Sequence, residues 1–132
     1  MIGLDTNVIV RYLAQDDNVQ TLVATKLIER LTPENPGYVS SVVLAEITWV
    51  LSRAYKTPRG EIANAIENIL RSAELVTENA EAAYRALGRY RAGIAVDYAD
   101  ALIAETATLA GAQETVTFDK HAAAEAGMRL LR

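Results

Sequence analysis

Short apolar runs alternate along this chain with longer stretches of helical period, and this alternation constrains the fold more than any other feature. "MIGL", "GYVS", "LVT", "ETVTF" and "MRLL" have the length and composition of strands. Between them stand "TNVIVRYLA", "NVQTLVATKLIERL", "SVVLAEITWVLSRAY", "TPRGEIANAIENILRSA", "ENAEAAYRALGRYRAG", "DYADALIAETATLAG" and the short "KHAAAEAG", all read as helices. Pro33 and Pro36 close the helix ending near Leu31, and Pro58 opens a later one. Strands that alternate with helices predict an α/β fold, a central parallel sheet of four to five strands covered on both faces as a three-layer α/β/α sandwich.

At 132 residues the chain has room for one domain, residues 1–132, with a sizeable core. No apolar run approaches the ~20 residues of a membrane span. No basic segment precedes an apolar stretch, so no secretory leader is expected and a cytoplasmic protein fits best. The absence of cysteine excludes disulfides, thiolate metal sites and Cys nucleophiles. A net charge of −4 does not advertise nucleic-acid binding by the whole molecule. The basic residues are grouped, however, as Arg53, Lys56 and Arg59 in "RAYKTPR" and Arg85, Arg89 and Arg91 in "RALGRYR". Taken alone, such groups are solvated helix faces. They gain meaning beside a centre that handles phosphate.

In parallel α/β sheets ligands collect at the carboxyl ends of the strands. Asp5 directly follows "IGL" and Asp119 directly follows "TVTF", so both acids are expected at one sheet edge. Each could be an ordinary cap or turn residue. Asp5, though, stands beside Thr6 and Asn7, which cap adequately themselves, and it sits where a core-facing charge is costly unless compensated. Glu46 lies on a helix whose core stripe is Val43, Leu44, Ile47, Val50, Leu51 and Ala54, with Val42 and Trp49 on its other side. Its only nearby opposite charge is Arg53, seven residues on and too far for a dependable pair. Unpaired acids in apolar settings mark sites. Asp97 and Asp100 share "DYADALIAETA"; Asp97 suits the N-cap of a capping box, and Asp100 is the stronger functional candidate, with Asp97 in reserve. Asp100 falls off the stripe of Ala99, Leu102, Ile103, Thr106 and Ala110, on a face continued by the small Ala104 and Ala107. Thr117 adds a hydroxyl near Asp119.

Carboxylates gathered without cations repel, and their pKa values rise. A hard divalent cation removes the repulsion, and oxygen-only ligands select Mg²⁺ or Mn²⁺ over zinc. Such an ion can activate water and stabilise the leaving oxygen of a phosphodiester. His121 is the only histidine, which excludes a metal-free ribonuclease with paired histidines and leaves His121 to cap or decorate its short helix. No phosphate-binding glycine loop and no G-x-S-x-G elbow occurs. Trp49, Tyr38 and Tyr90 are assigned to core or interface.

In "IGLDTNVIVRYL", "VVLAEITWVL", "DYADALIAETA" and "TVTFDK", in that order over essentially the whole chain, the sequence resembles the PIN-domain ribonucleases. It is most similar to the VapC-type toxins of type II toxin–antitoxin pairs. The resemblance implies a PIN-like α/β/α sandwich with strand order 3-2-1-4-5 and Mg²⁺- or Mn²⁺-dependent endoribonuclease activity. Asp5, Glu46, Asp100 and Asp119 would surround the metal, Asp97 sharing the third position, with Thr6, Asn7 and Thr117 as supporting polar groups. It further implies RNA as substrate, guided by Arg85, Arg89 and Arg91, a homodimer, and a cognate VapB-like antitoxin that covers the site. Two other readings compete. A haloacid-dehalogenase-like phosphatase would need a second Asp two residues after Asp5, where this chain has Asn7. A catalytically inert PIN-fold module that binds a protein partner would have no reason to keep all four acids.

Overall fold

The computed structural model describes residues 1–16 and 18–132. The chain divides into two compact units, Met1–Glu78 and Asn79–Arg132.

The first unit runs β1 (Ile2–Gly3), α1 (Thr6–Ala14), α2 (Val19–Glu29), β2 (Gly37–Val39), α3 (Ser41–Arg53), α4 (Arg59–Arg71) and β3 (Leu75–Thr77). Its strands form a parallel sheet in the order β1-β2-β3, with Ile2 opposite Gly37 and Tyr38 opposite Val76. Polar side chains start the helices where the sequence offers them. Asn18 accepts a hydrogen bond from Thr21 N at 2.9 Å to open α2, and Ser40 accepts one from Val43 N at 3.2 Å to open α3. Pro58 precedes α4. A Cβ at residue 37 would stand 2.7 Å from the end of the Leu4 side chain and 3.0 Å from those of Leu31 and Leu75, so any larger residue would make these leucines shift. The core is built from Leu4, Ile9, Val39, Leu44, Ile47, Ile62 and Ile66, all buried.

The second unit comprises α5 (Ala80–Ala92), α6 (Tyr98–Leu109), β4 (Val116–Thr117), α7 (Lys120–Glu125) and β5 (Arg129–Leu130). Helices α5 and α6 pack on each other and bury Ala82, Ala83, Ala86 and Ala101, small residues that permit close approach. Tyr98 fills the space beside them. Its ring meets that of Tyr90 edge-on at 5.9 Å, and its hydroxyl donates to the Ala83 carbonyl at 3.0 Å. Strands β4 and β5 pair in parallel, Val116 opposite Arg129.

All five expected strands form and every pair is parallel, but hydrogen bonding divides them into one three-stranded and one two-stranded ladder. Within each ladder the neighbours are those of the order 3-2-1 and 4-5. Strands β1, β4 and β5 span two residues each. The helix faces also depart from the expected stripes. On α3, Val43, Leu44, Ile47 and Leu51 are buried, whereas Val42, Trp49 and Ala54 are exposed. On α6 the buried line is Tyr98, Ala99, Ala101, Leu102 and Ala104, and Ile103 faces out. Ala104 joins Ala122, Ala126 and Met128 in a small core. A helix stripe read from one sequence locates the apolar side; the elements that cover it choose which flank is buried.

Candidate active site

Local chemistry at the head of α1 positions three of the expected residues. Asp5 follows β1 and caps α1, its Oδ1 accepting from Thr6 N at 2.8 Å. The Asp5 side chain is exposed and not core-facing, because the chain leaves the sheet at Leu4 before the acid. Thr6 is buried, and its hydroxyl donates to Glu46 Oε1 at 2.6 Å. This bond replaces the pair with Arg53, whose guanidinium lies over the Trp49 ring at 5.6 Å. Asp5, Thr6, Asn7 and Glu46 line an open cleft of about 440 Å³ that continues between α1 and α3 to Arg11 and Tyr55.

A second carboxylate cluster lies in the other unit. Asp97 caps α6, its Oδ1 accepting from Asp100 N at 3.1 Å, half of the expected capping box. Asp119 follows β4 and caps α7, its Oδ1 accepting from His121 N at 2.8 Å and Ala122 N at 3.3 Å. Thr117 Oγ1 accepts from Asp119 N at 3.0 Å and so braces that turn. His121 does more than decorate α7: its Nε2 stands 2.7 Å from the Ala95 carbonyl, tying the segment before α6 to the start of α7. Partial burial, then the charges of Asp97 and Asp119, push the Asp100 carboxyl above its ordinary range, against a smaller opposite pull from His121.

Among the described residues no three His, Asp or Glu side chains gather closely enough to hold a metal ion on their own. The donors present are nonetheless the right kind. They are carboxylates and hydroxyls without sulfur, and Mg²⁺ is bound through one or two carboxylates completed by waters and substrate phosphate. Asp100, repelled by two acids of its own unit, is a group that a cation would relieve.

Relief of that repulsion gives a measurable stability effect. Because the folded pKa of Asp100 is raised, its favourable contribution is complete below the unfolded value of about 3.9 and is lost as pH rises through the folded value. At neutral pH without metal the charged form is therefore a burden. Asp100→Asn is expected to raise the melting temperature by about 1–3 °C at pH 7 in EDTA, and Mg²⁺ is expected to raise that of the wild type but not of the variant. Differential scanning calorimetry at pH 3.5 and 7, with and without Mg²⁺, checks both, and the gain in EDTA should vanish at the lower pH.

Two arginines of "RALGRYR" are engaged inside their unit. Arg85 pairs with Glu81 at 3.2 Å, and Arg89 pairs with the largely buried Glu105 at 2.9 Å. Arg89 also lies over Gly127, whose φ of +72° and missing Cβ leave room for the guanidinium. Arg91 makes an interaction of its own. Two residues absent from the expected set take part in positioning. Glu78, at the end of β3, accepts from Ser41 N at 2.9 Å and so holds the start of the helix that carries Glu46. Arg11 enters the cleft from the last turn of α1. A helix-terminal Arg carries no signal of its own in the sequence; its role comes from what faces it.

Parallel strands with acids following β1 and β4, an acid fixed on a helix beside the first of them, and oxygen-only donors define an α/β protein with an acidic candidate site. The chain belongs to the PIN domain family, whose model matches residues 2–127, and its fold class is therefore the three-layer α/β/α one of that family. PIN domains are usually nucleases that use divalent metals, which supports a hydrolase of that kind acting on nucleic acid. No curated protein and no solved structure gives a significant match. Among the described residues no helix is long and apolar enough to cross a membrane.

Proposed function

We propose that this chain is a Mg²⁺- or Mn²⁺-dependent endoribonuclease, the VapC-type toxin of a type II toxin–antitoxin pair, acting in the cytoplasm as a single PIN domain over residues 1–132. The observation that carries the reading is the cleft at the head of α1, which Asp5 and Glu46 line from α1 and α3 and where Thr6 fixes Glu46 by a 2.6 Å hydrogen bond. In this reading Asp5, Glu46, Asp100 and Asp119 are the metal carboxylates, Asp97 assists Asp100, and Asn7 and Thr117 are supporting polar groups. The cation, when bound, lowers the pKa of a water and stabilises the leaving oxygen of the phosphodiester.

The chain's own residues do the orienting. At Asp5, Asp97, Glu46 and Asp119 one carboxylate oxygen is engaged by a backbone N–H or by the Thr6 hydroxyl, which fixes the side chain before any ligand arrives. The exposed Asn7 side chain stands at the position where a phosphatase of the haloacid-dehalogenase type needs a second Asp, which weighs against that alternative. Arg85, Arg89 and Arg91 guide the RNA backbone, Arg85 and Arg89 from within ion pairs with Glu81 and Glu105. Val19, Leu22 and Val23 leave an exposed apolar patch on α2, which suits a second copy of the chain or a VapB-like antitoxin.

Purified chain incubated with a mixed RNA pool tests the reading. Cleavage with Mg²⁺ or Mn²⁺ and none with EDTA is the expected result. A folded, partner-free protein that leaves all RNA intact with either metal would return the chain to the inert binding module.

A further inference from the structure

Beyond its acidic end, the cleft of the first unit holds one cation. Arg11 stands in the last turn of α1 and lines the same cleft as Asp5 and Glu46. Its guanidinium is braced on three sides. Nε donates to Gln20 Oε1 at 3.0 Å, and Nη1 donates to Tyr55 Oη at 2.8 Å and to Asp16 Oδ2 at 3.1 Å. Asp16 is itself fixed, accepting from the Thr21 hydroxyl at 2.8 Å and from Tyr55 Oη at 3.3 Å. The Thr21 hydrogen bond, followed by the Arg11 charge and the Tyr55 hydroxyl, holds the Asp16 carboxyl below its ordinary range despite the cost of desolvation. A half-buried ion pair at the surface adds little stability. Three side chains, from α2 and from the segments after α1 and after α3, nevertheless hold one guanidinium against a cleft whose other charged lining residues, Asp5 and Glu46, are acids.

We infer that Arg11 is the phosphate-binding residue of this cleft, taking the RNA phosphate next to the one that reaches Asp5 and Glu46. The inference rests on the nuclease reading and assigns part of its substrate site. A guanidinium presents paired N–H groups that match a phosphate, and a braced one loses little freedom when it binds. Asp16 sets the strength of the contact. It orients Arg11 and also cancels much of its charge, so phosphate competes with Asp16 for the same group. Affinity for RNA is thereby kept below what a bare Arg would give.

Removal of each partner shifts RNA binding in opposite directions. Binding of a single-stranded RNA, with Ca²⁺ in place of Mg²⁺, would be followed by fluorescence anisotropy between about 50 and 200 mM salt. Arg11→Gln should raise Kd by about 10-fold and lower the slope of log K against log salt by about 1, and Arg11→Lys should restore most of the slope. Asp16→Asn should lower Kd several-fold while also lowering the melting temperature. A purely structural role predicts instead that Arg11→Gln and Asp16→Asn weaken binding together, in step with lost thermal stability. That result, or an unchanged Kd and slope in both variants, overturns the inference while the nuclease reading stands on wild-type cleavage. Wild-type protein that neither binds nor cuts RNA removes both.

Discussion

Asp5→Asn is expected to abolish metal-dependent RNA cleavage, by at least about 100-fold, and to leave the fold intact. The two halves of this expectation come from two jobs done by one side chain. Its Oδ1 caps α1 through the Thr6 amide, and asparagine is as good an N-cap as aspartate. The negative charge that a divalent cation requires is lost. Thr6 keeps its backbone position, so its hydroxyl stays on Glu46 and the opposite wall of the cleft is undisturbed. Cleavage rates with saturating Mn²⁺, set beside circular dichroism and melting temperature, separate the two roles. A variant that cuts RNA at the wild-type rate would exclude Asp5 from the centre, and one that unfolds would show that capping, rather than catalysis, dominates at this position.

A large loss of stability, and with it of the response to Mg²⁺, is expected from Tyr98→Ala. Tyr98 is 1% exposed, lies edge-on against Tyr90 and donates a hydrogen bond to Ala83 across the α5–α6 interface. Burial pushes its hydroxyl pKa upward, so it remains a donor throughout the physiological range. Removing a buried aromatic ring costs about 3–5 kcal/mol where the cavity cannot collapse. That is a third or more of the margin of many small proteins and corresponds to a fall in melting temperature of more than about 10 °C. Tyr98→Phe removes only the hydrogen bond and should cost about 1 kcal/mol. Because Asp97 and Asp100 flank Tyr98 in the first turn of α6, Tyr98→Ala should also erase the Mg²⁺-induced rise in melting temperature that Tyr98→Phe retains. Urea denaturation with and without Mg²⁺ reads both quantities.

The helices and strands were legible because each carries its own punctuation. Thr6–Ala14 and Leu75–Thr77 have the bounds that their sequence patterns indicate, and Asn18, Ser40, Asp97 and Pro58 begin helices where caps or a proline stand before an apolar period. The acids were equally visible, but their caps confuse the reading. Asp5, Asp97 and Asp119 each cap a helix, so the ordinary explanation and the functional one describe the same geometry. A cap fixes one oxygen and leaves the function of the carboxylate to be decided by what stands opposite it.

Partners distant in sequence were not legible. Glu46 reads as unpaired along its own helix, and its donor is Thr6, forty residues away in another element. Arg53 reads as its nearest opposite charge and lies instead over Trp49. Likewise "RALGRYR" reads as a free basic face, although Glu105 and Gly127, distant in the chain, occupy Arg89. Arg11 shows the reverse case, an ordinary helix-terminal Arg that the structure sets in a cleft with carboxylates.

By itself, then, the sequence determined the order of elements, their parallel pairing class and the positions of the acids, since period, caps and strand ends are local properties that neighbouring residues impose on one another. Tertiary structure alone decided which flank of α3 and α6 is buried, which hydroxyl holds Glu46, and which arginine faces the cleft. Those depend on distances between residues far apart in the chain, and a hydrogen bond or ion pair forms only where packing has first brought its two ends to about 3 Å.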